Sequence, residues 1–170
     1  MRDSLPDEVA KTVAVSIVTT RLDFCNSLYY GMSDGNFSKL QRIQNTLARV
    51  VVRKRKFEHV TPSLKELHWL PIQQRVSFKI ATLTYTILHT REPAYLFELL
   101  QRYQPIRTFR SSSHGLLHRT RTRTVIATRA FKHSSVSVWN NLPADVRNCD
   151  TICGFRRRLK TVLFDSAFTT

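Results

Sequence analysis

Glycine and acidic residues are scarce in this chain. Its 170 residues include four glycines and six prolines, too few to punctuate a mainly β protein or a low-complexity chain, and the long stretches between them suit helices. Twelve Asp and Glu stand against 27 Lys and Arg, a formal net charge of +15. Such an excess favours a polyanionic partner, nucleic acid first and an anionic membrane second. No apolar run approaches the roughly 18 residues of a membrane span, because charged or polar residues interrupt each one, and no membrane role is expected. Three cysteines, Cys25, Cys149 and Cys153, form an odd set, and the opening MRDSLPDEVA lacks the apolar centre of a signal peptide. An intracellular chain with reduced thiols is therefore expected. Cys149 and Cys153 are four apart, but no histidine follows them and no second cysteine pair exists, so no metal site is expected.

What is present reads as one helical module, with 42% hydrophobic residues arranged at helical spacing. The first segment opens with Ser4, Pro6, Asp7 and Glu8, residue types suited to the positive end of a helix. Val9, Val13 and Ile17 share one face and Leu22, Cys25 and Tyr29 another. That gives one helix bent near Thr19 and Thr20, or two short ones, running to Tyr30 and stopped by Gly31. The clearest helix is NFSKLQRIQNTLARVVVR. At about 100° per residue, Phe37, Leu40, Ile43, Leu47, Val50 and Val51 fall in one arc and Lys39, Arg42, Arg49 and Arg53 in the opposite one. Lys54, Arg55 and Lys56 extend that basic stripe and complement the negative end of the helix dipole.

TPSLKEL reads as a short helix capped by Thr61 with Pro62 at its first position. Next comes HWLP, where Pro71 ends one element and pre-sets the first turn of the next. Trp69 and Leu70 fill the resulting corner, and His68 serves as a corner hydrogen-bonder, since no catalytic partners surround it. The helix after Pro71 places Ile72, Val76, Ile80, Leu83 and Ile87 on one face with Phe78 and Tyr85 well round from them, as in a helix buried on two sides. A short helix follows Pro93.

From Leu99 to Ala144 there is no acidic residue, while Arg102, Arg107, Arg110, Arg119, Arg121, Arg123, Arg129 and Lys132 are present with three histidines. Periodicity is poor here, and a loop or short hairpin around Leu116 and Val125 is expected. In RTRTRT an extended backbone would bring the guanidiniums of Arg119, Arg121 and Arg123 to one side, a geometry suited to tracking phosphates. A disordered basic loop is the alternative and would bind polyanions less specifically. Trp139, Leu142 and Pro143 form a second corner. The closing helix sets Phe155, Leu159, Val162 and Leu163 together and turns Arg156, Arg157 and Lys160 outward. The expected architecture is a mainly α module over residues 1–103, a basic loop or hairpin over 104–128, and a helical tail over 129–170 packing on the module.

Catalytic chemistry has no visible seat. The seven aspartates are scattered, with no pair at metal-binding spacing. Neither a phosphate-binding loop, a nucleophile elbow nor a zinc-protease motif appears, and no cofactor is implied.

Four blocks, RLDFCNSLYYGM, LQRIQNTLARVVV, HVTPSLKELHWLPIQQRVSFKI and SVWNNLPADVRN, occur in an order and spacing that resembles the carboxy-terminal part of the reverse transcriptases of non-long-terminal-repeat retrotransposons, in the jockey, chicken-repeat and LINE-2-like group. The resemblance covers about residues 21 to 164, and LKELHWLP followed by WNNLP is its most specific part. It implies a thumb and tail from an RNA-directed DNA polymerase, whose helices contact RNA or an RNA–DNA hybrid. This chain carries neither the palm aspartates nor the endonuclease residues of that family, so no enzyme activity of its own is implied. The basic residues named above would contact phosphates, with Tyr103, Phe109 and His114 as stacking partners for unpaired bases. The other readings are an interaction module docking on a separate polymerase palm domain, and a transposon remnant without selected activity. The runs RKRK and FRRRLK are of the kind that serve as nuclear localisation signals.

Overall fold

The computed structural model describes residues 6–104 and 115–169. These residues are mainly helical with a long C-terminal helix, as the apolar spacing predicts. In chain order the helices are α1 (Asp7–Ala14), α2 (Thr20–Asp23), α3 (Asp34–Val51), α4 (Thr61–Glu66), α5 (Ile72–Thr90), α6 (Ala94–Phe97), α7 (Val125–Arg129), α8 (Phe131–Asn140), α9 (Ala144–Arg147) and α10 (Ile152–Phe168). Contacts group residues 1–76 with 163–170 as one compact unit and residues 77–162 as another, which differs from the compositional division at 103 and 128.

In the first unit, the irregularity expected near Thr19 takes the form of a π-helical turn, Val15–Thr19, joining α1 to α2. The helix does not continue to Tyr30. It ends at Asp23, and Cys25 takes a left-handed conformation with φ +50° before a 3₁₀ turn at Asn26–Tyr29. At this end the Asp23 carboxylate is gripped by Arg75, whose Nε donates to Oδ1 at 2.8 Å and whose Nη2 bonds Oδ2. Asn26 Nδ2 donates to the same Oδ1 at 3.2 Å.

The core of this unit is formed by Ala14, Ala48, Val51, Leu64, Leu67 and Trp69. Within α3 the expected apolar arc is corrected at two positions, because Ile43 and Val50 are exposed while Gln44 is buried. Gln44 turns inward because the HWLP corner needs it. Its Nε2 donates to the Leu70 carbonyl at 2.8 Å, and the backbone N–H of Ile72 donates to Gln41 Oε1 at 2.9 Å. Gln41 Nε2 in turn donates to Gln44 Oε1 at 3.0 Å and Asn45 Oδ1 at 2.8 Å. Proline 71 has no N–H of its own, so the polar groups on both sides of it are satisfied by two glutamines one helical turn apart.

The corner begins with a Schellman motif. His68 adopts φ +53°, its N–H donates to the Lys65 carbonyl at 3.0 Å, and the Trp69 N–H reaches back to the Leu64 carbonyl at 2.9 Å. That pair of bonds, with Trp69 packing in the same core as Leu64, is how a chain poor in glycine stops a helix without one. His68 is exposed, with its ring 6.0 Å from that of Phe164. The α4 helix itself starts at Thr61, with Val60 as its cap rather than Thr61.

The second unit is built on stacked aromatic rings. Tyr85 lies 4.3 Å from Phe155, and Trp139 lies 5.9 Å from Phe155. The Tyr85 hydroxyl donates to the Cys149 carbonyl at 2.8 Å. Burial first, then the charges of Cys149 and Asp150, push the Tyr85 phenol above its ordinary value. A raised phenol contributes stability that is fully present below the unfolded tyrosine value and is lost as pH rises through the higher folded value. Phe155, Leu159 and Val146 are fully buried, and Val162 is half-buried. The WNNLP corner follows the same logic as HWLP: Leu142 is buried, Pro143 caps α9, and the Arg147 guanidinium bonds the Leu142 carbonyl and also reaches the Asn140 carbonyl at 3.4 Å. Burial lowers the Arg147 guanidinium from its ordinary value.

Because His68 pays the steric cost of a left-handed backbone, His68→Gly is expected to raise stability by about 0.5–1 kcal/mol and His68→Val to lower it. Thermal unfolding of the three proteins checks this, and a His68→Gly variant no more stable than the parent would contradict the Schellman assignment.

Candidate nucleic-acid interface

The charge is unevenly shared. Residues 77–162 contain fifteen Lys and Arg against four Asp and Glu, so most of the net +15 belongs to that unit. Its arginine row is anchored from Gly115 onward. Gly115, with φ +61°, offers its carbonyl to Trp139 Nε1 at 2.8 Å. The Asn140 side chain then brackets Leu117, accepting from its N–H at 2.9 Å and donating to its carbonyl at 2.8 Å, as a neighbouring strand would. Arg102 and Leu117 form an isolated antiparallel bridge, with Tyr103 N–H to Leu116 carbonyl at 2.9 Å and His118 N–H to Gln101 carbonyl at 2.7 Å. Among the described residues this bridge is the extent of any hairpin. Val125, expected in a hairpin, instead opens α7 behind the Thr124 cap.

Past this anchor the exposure alternates. Arg119, Arg121 and Arg123 are exposed, and Thr120 and Thr122 between them are half-buried. Thr120 Oγ1 lies 3.3 Å from His133 Nδ1 on α8. A two-residue period in exposure is the period of an extended backbone, roughly 6.6 Å per repeat. Three exposed arginines thus alternate with two half-buried threonines on a segment held upstream at Leu117 and at Thr120, with a bend at Arg123 and Thr124. Arg129 is exposed at the end of α7 and Lys132 half-buried on α8. On α10, Arg156, Arg157 and Lys160 are exposed as the helical spacing predicts. Arg158, absent from the sequence-based set, is exposed too, its Nη1 bonded to the Asp145 carbonyl at 3.0 Å. Arg107 and Arg110, with Phe109 and His114, lie outside the described residues; Tyr103 is 49% exposed.

In the first unit the predicted stripe is divided. Lys39 and Arg42 are exposed on α3. Arg49 is half-buried, its Nε donating to the Glu58 carbonyl at 3.2 Å. Arg53 lies beyond the helix end in a left-handed conformation, φ +55°, and its Nε stands 3.4 Å from Asp7 Oδ1. The Lys54 N–H reaches back to the Arg49 carbonyl at 2.9 Å, so this helix also ends in a Schellman-type bond without glycine. Arg55 and Lys56 are exposed and Lys54 half-buried. The stripe continues on the sequence wheel but not in space, because the helix stops at Val51 and its last cations are used to fasten the turn that follows.

Spacing arguments missed Phe57, which is 94% exposed. The signal was an aromatic residue interleaved in RKRKFEH. They also missed Asn140 and Arg147, whose roles come from backbone groups distant in sequence.

Among the described residues no three His, Cys, Asp or Glu side chains are grouped as a metal site requires, and no helix is long and apolar enough to cross a membrane. Comparison with protein-family models, with curated proteins and with solved structures finds no match for this chain.

If Asn140 anchors the arginine row, Asn140→Ala leaves both Leu117 backbone groups without their partner and should cost about 2 kcal/mol. Tryptic cleavage after Arg119, Arg121 and Arg123 should accelerate relative to cleavage after Arg156. Unchanged relative rates would show that the row is held by something else.

Proposed function

We propose that this chain is a nucleic-acid-binding segment from the carboxy-terminal thumb and tail of a non-long-terminal-repeat retrotransposon reverse transcriptase. It contacts RNA or an RNA–DNA hybrid through its basic faces and contains no polymerase or endonuclease centre of its own. The observation that carries this reading is the arginine row: Arg119, Arg121 and Arg123 exposed, Thr120 and Thr122 half-buried. Exposed arginines alternating with half-buried threonines on an anchored segment suit contact with successive phosphates.

The row would act by displacing counterions from phosphates, a contact that reads shape and charge rather than sequence. An A-form duplex, whose wide shallow groove exposes its backbone, is the surface such contacts fit. A salt series of binding to an RNA hairpin, an RNA–DNA hybrid and double-stranded DNA tests this. The expected outcome is a steep slope with hybrid or structured RNA preferred, and Arg119→Gln/Arg121→Gln/Arg123→Gln making the slope shallower by roughly 2 to 3. Weak binding equal on all three nucleic acids, or a slope the triple variant leaves unchanged, would leave only generic basic charge.

A second reading, docking on a polymerase palm domain, is favoured by the apolar exposure of the first unit. Val9, Val13 and Ile17 on α1 and the π turn, and Ile43 and Val50 on α3, are all exposed. Apolar surface of that extent on an isolated chain should drive self-association; a monomer by light scattering with low hydrophobic-dye binding would count against docking.

A further inference from the structure

Between the two Schellman-ended helices α3 and α4 the chain makes a tight turn whose tip is a phenyl ring. The Glu58 N–H donates to the Arg55 carbonyl at 3.2 Å. The Arg55 N–H donates back to Glu58 Oε1 at 2.7 Å, and the Glu58 carbonyl accepts from Arg49 Nε at 3.2 Å. Three bonds converge on Glu58 and fix the base of the turn, leaving Lys56 and Phe57 at its apex. Phe57 is 94% exposed, although the unit's core lies on the same chain within a few residues at Val51 and Leu64. Glu58 is the only acidic residue between Asp34 and Glu66, and its carboxylate is turned into the turn. Its neighbours in the chain Arg55, Lys56 and His59 are exposed as well.

A large ring held out of the core on a braced turn, among cations, matches the chemistry of an unpaired nucleotide: a base face to stack on and a phosphate on each side to neutralise. We infer that Phe57 is a stacking platform for an unpaired base at the end of a duplex or in a single-stranded overhang, with Arg55 and Lys56 on the flanking phosphates. This rests on the reading that the chain binds nucleic acid, and it assigns a contact mode that the arginine row, which meets only backbone, does not supply.

Phe57→Trp turns the platform into its own reporter, because Trp69 and Trp139 are buried. Two ligands are compared, an RNA hairpin with a single-stranded 3′ overhang and the same hairpin blunt-ended, with mixed phosphatidylcholine and phosphatidylserine vesicles as a third arm. The added tryptophan emission should be quenched by the overhang RNA and not by the blunt one. Phe57→Ala should weaken overhang binding roughly ten-fold with the salt slope unchanged, Phe57→Leu should not restore it, and Phe57→Trp should. Circular dichroism should be unaltered, since an exposed tip contributes nothing to packing. Overhang binding that survives Phe57→Ala, while the arginine-row variant still weakens binding, overturns the platform and leaves the proposed function standing. Quenching absent with RNA but a blue shift on vesicles assigns the ring to a membrane surface instead and overturns it as well. Failure of the parent protein to bind either RNA removes both.

Discussion

A proline between two helices interrupts the backbone's hydrogen bonding at a buried corner, and the rest of the first unit depends on how that interruption is repaired. Leu70 is 6% and Ile72 2% exposed, so neither the Leu70 carbonyl nor the Ile72 N–H can turn to bulk water, and an unmet polar group there would cost a few kcal/mol. Gln41 and Gln44 meet both. The repair costs α3 a buried polar residue in the middle of its apolar face, but it also joins α3 to the start of α5 at one defined angle. Asp23 and Arg75 tie α2 to the same stretch of α5. WNNLP repeats the scheme with different chemistry, where a guanidinium from α9 serves the carbonyl ahead of the proline.

Cations are put to two uses. Arg49, Arg53, Arg75 and Arg147 are structural, bonded to carbonyls or carboxylates within their own unit. Arg119, Arg121, Arg123, Arg156 and Arg157 are exposed on segments whose inner edges are anchored. This division explains why counting charge along a helix wheel overestimates a binding face. An arginine near a helix end is as useful for satisfying the last carbonyls as for meeting a ligand. The scarcity of glycine sharpens the effect, since Arg53, His68 and Arg91 occupy left-handed positions that most helical proteins give to glycine.

Much of this was legible in the sequence. The apolar spacing located α3, α5 and α10, and the Leu-Pro pairs located both corners, because a 3.6-residue period and a proline are local signals. The alternating exposure of RTRTRT was legible as a pattern, though not the anchor that Asn140 provides. What could not be read were effects that act across the chain. At the end of α2, Asp23 is held by Arg75, fifty-two residues on. Ile43 and Val50 are exposed, and Gln44 is buried, because a distant carbonyl needs an amide donor. Phe57 belongs to a third class: its residue type favours the core, and only the bonds converging on Glu58 reveal that the turn keeps it out.

The glutamine clamp has a direct signature in the Ile72 amide. The first N–H groups of a helix have no intrahelical partner and ordinarily exchange with solvent quickly. Here that amide is bonded to Gln41 Oε1 beneath a buried corner. Native-state hydrogen exchange should find Ile72 protected to nearly the level of the α5 interior, with the protection lost in Gln41→Leu while the interior of α5 stays slow. Rapid exchange of the Ile72 amide in the unaltered protein would contradict the clamp, and with it the account of how the corner is held.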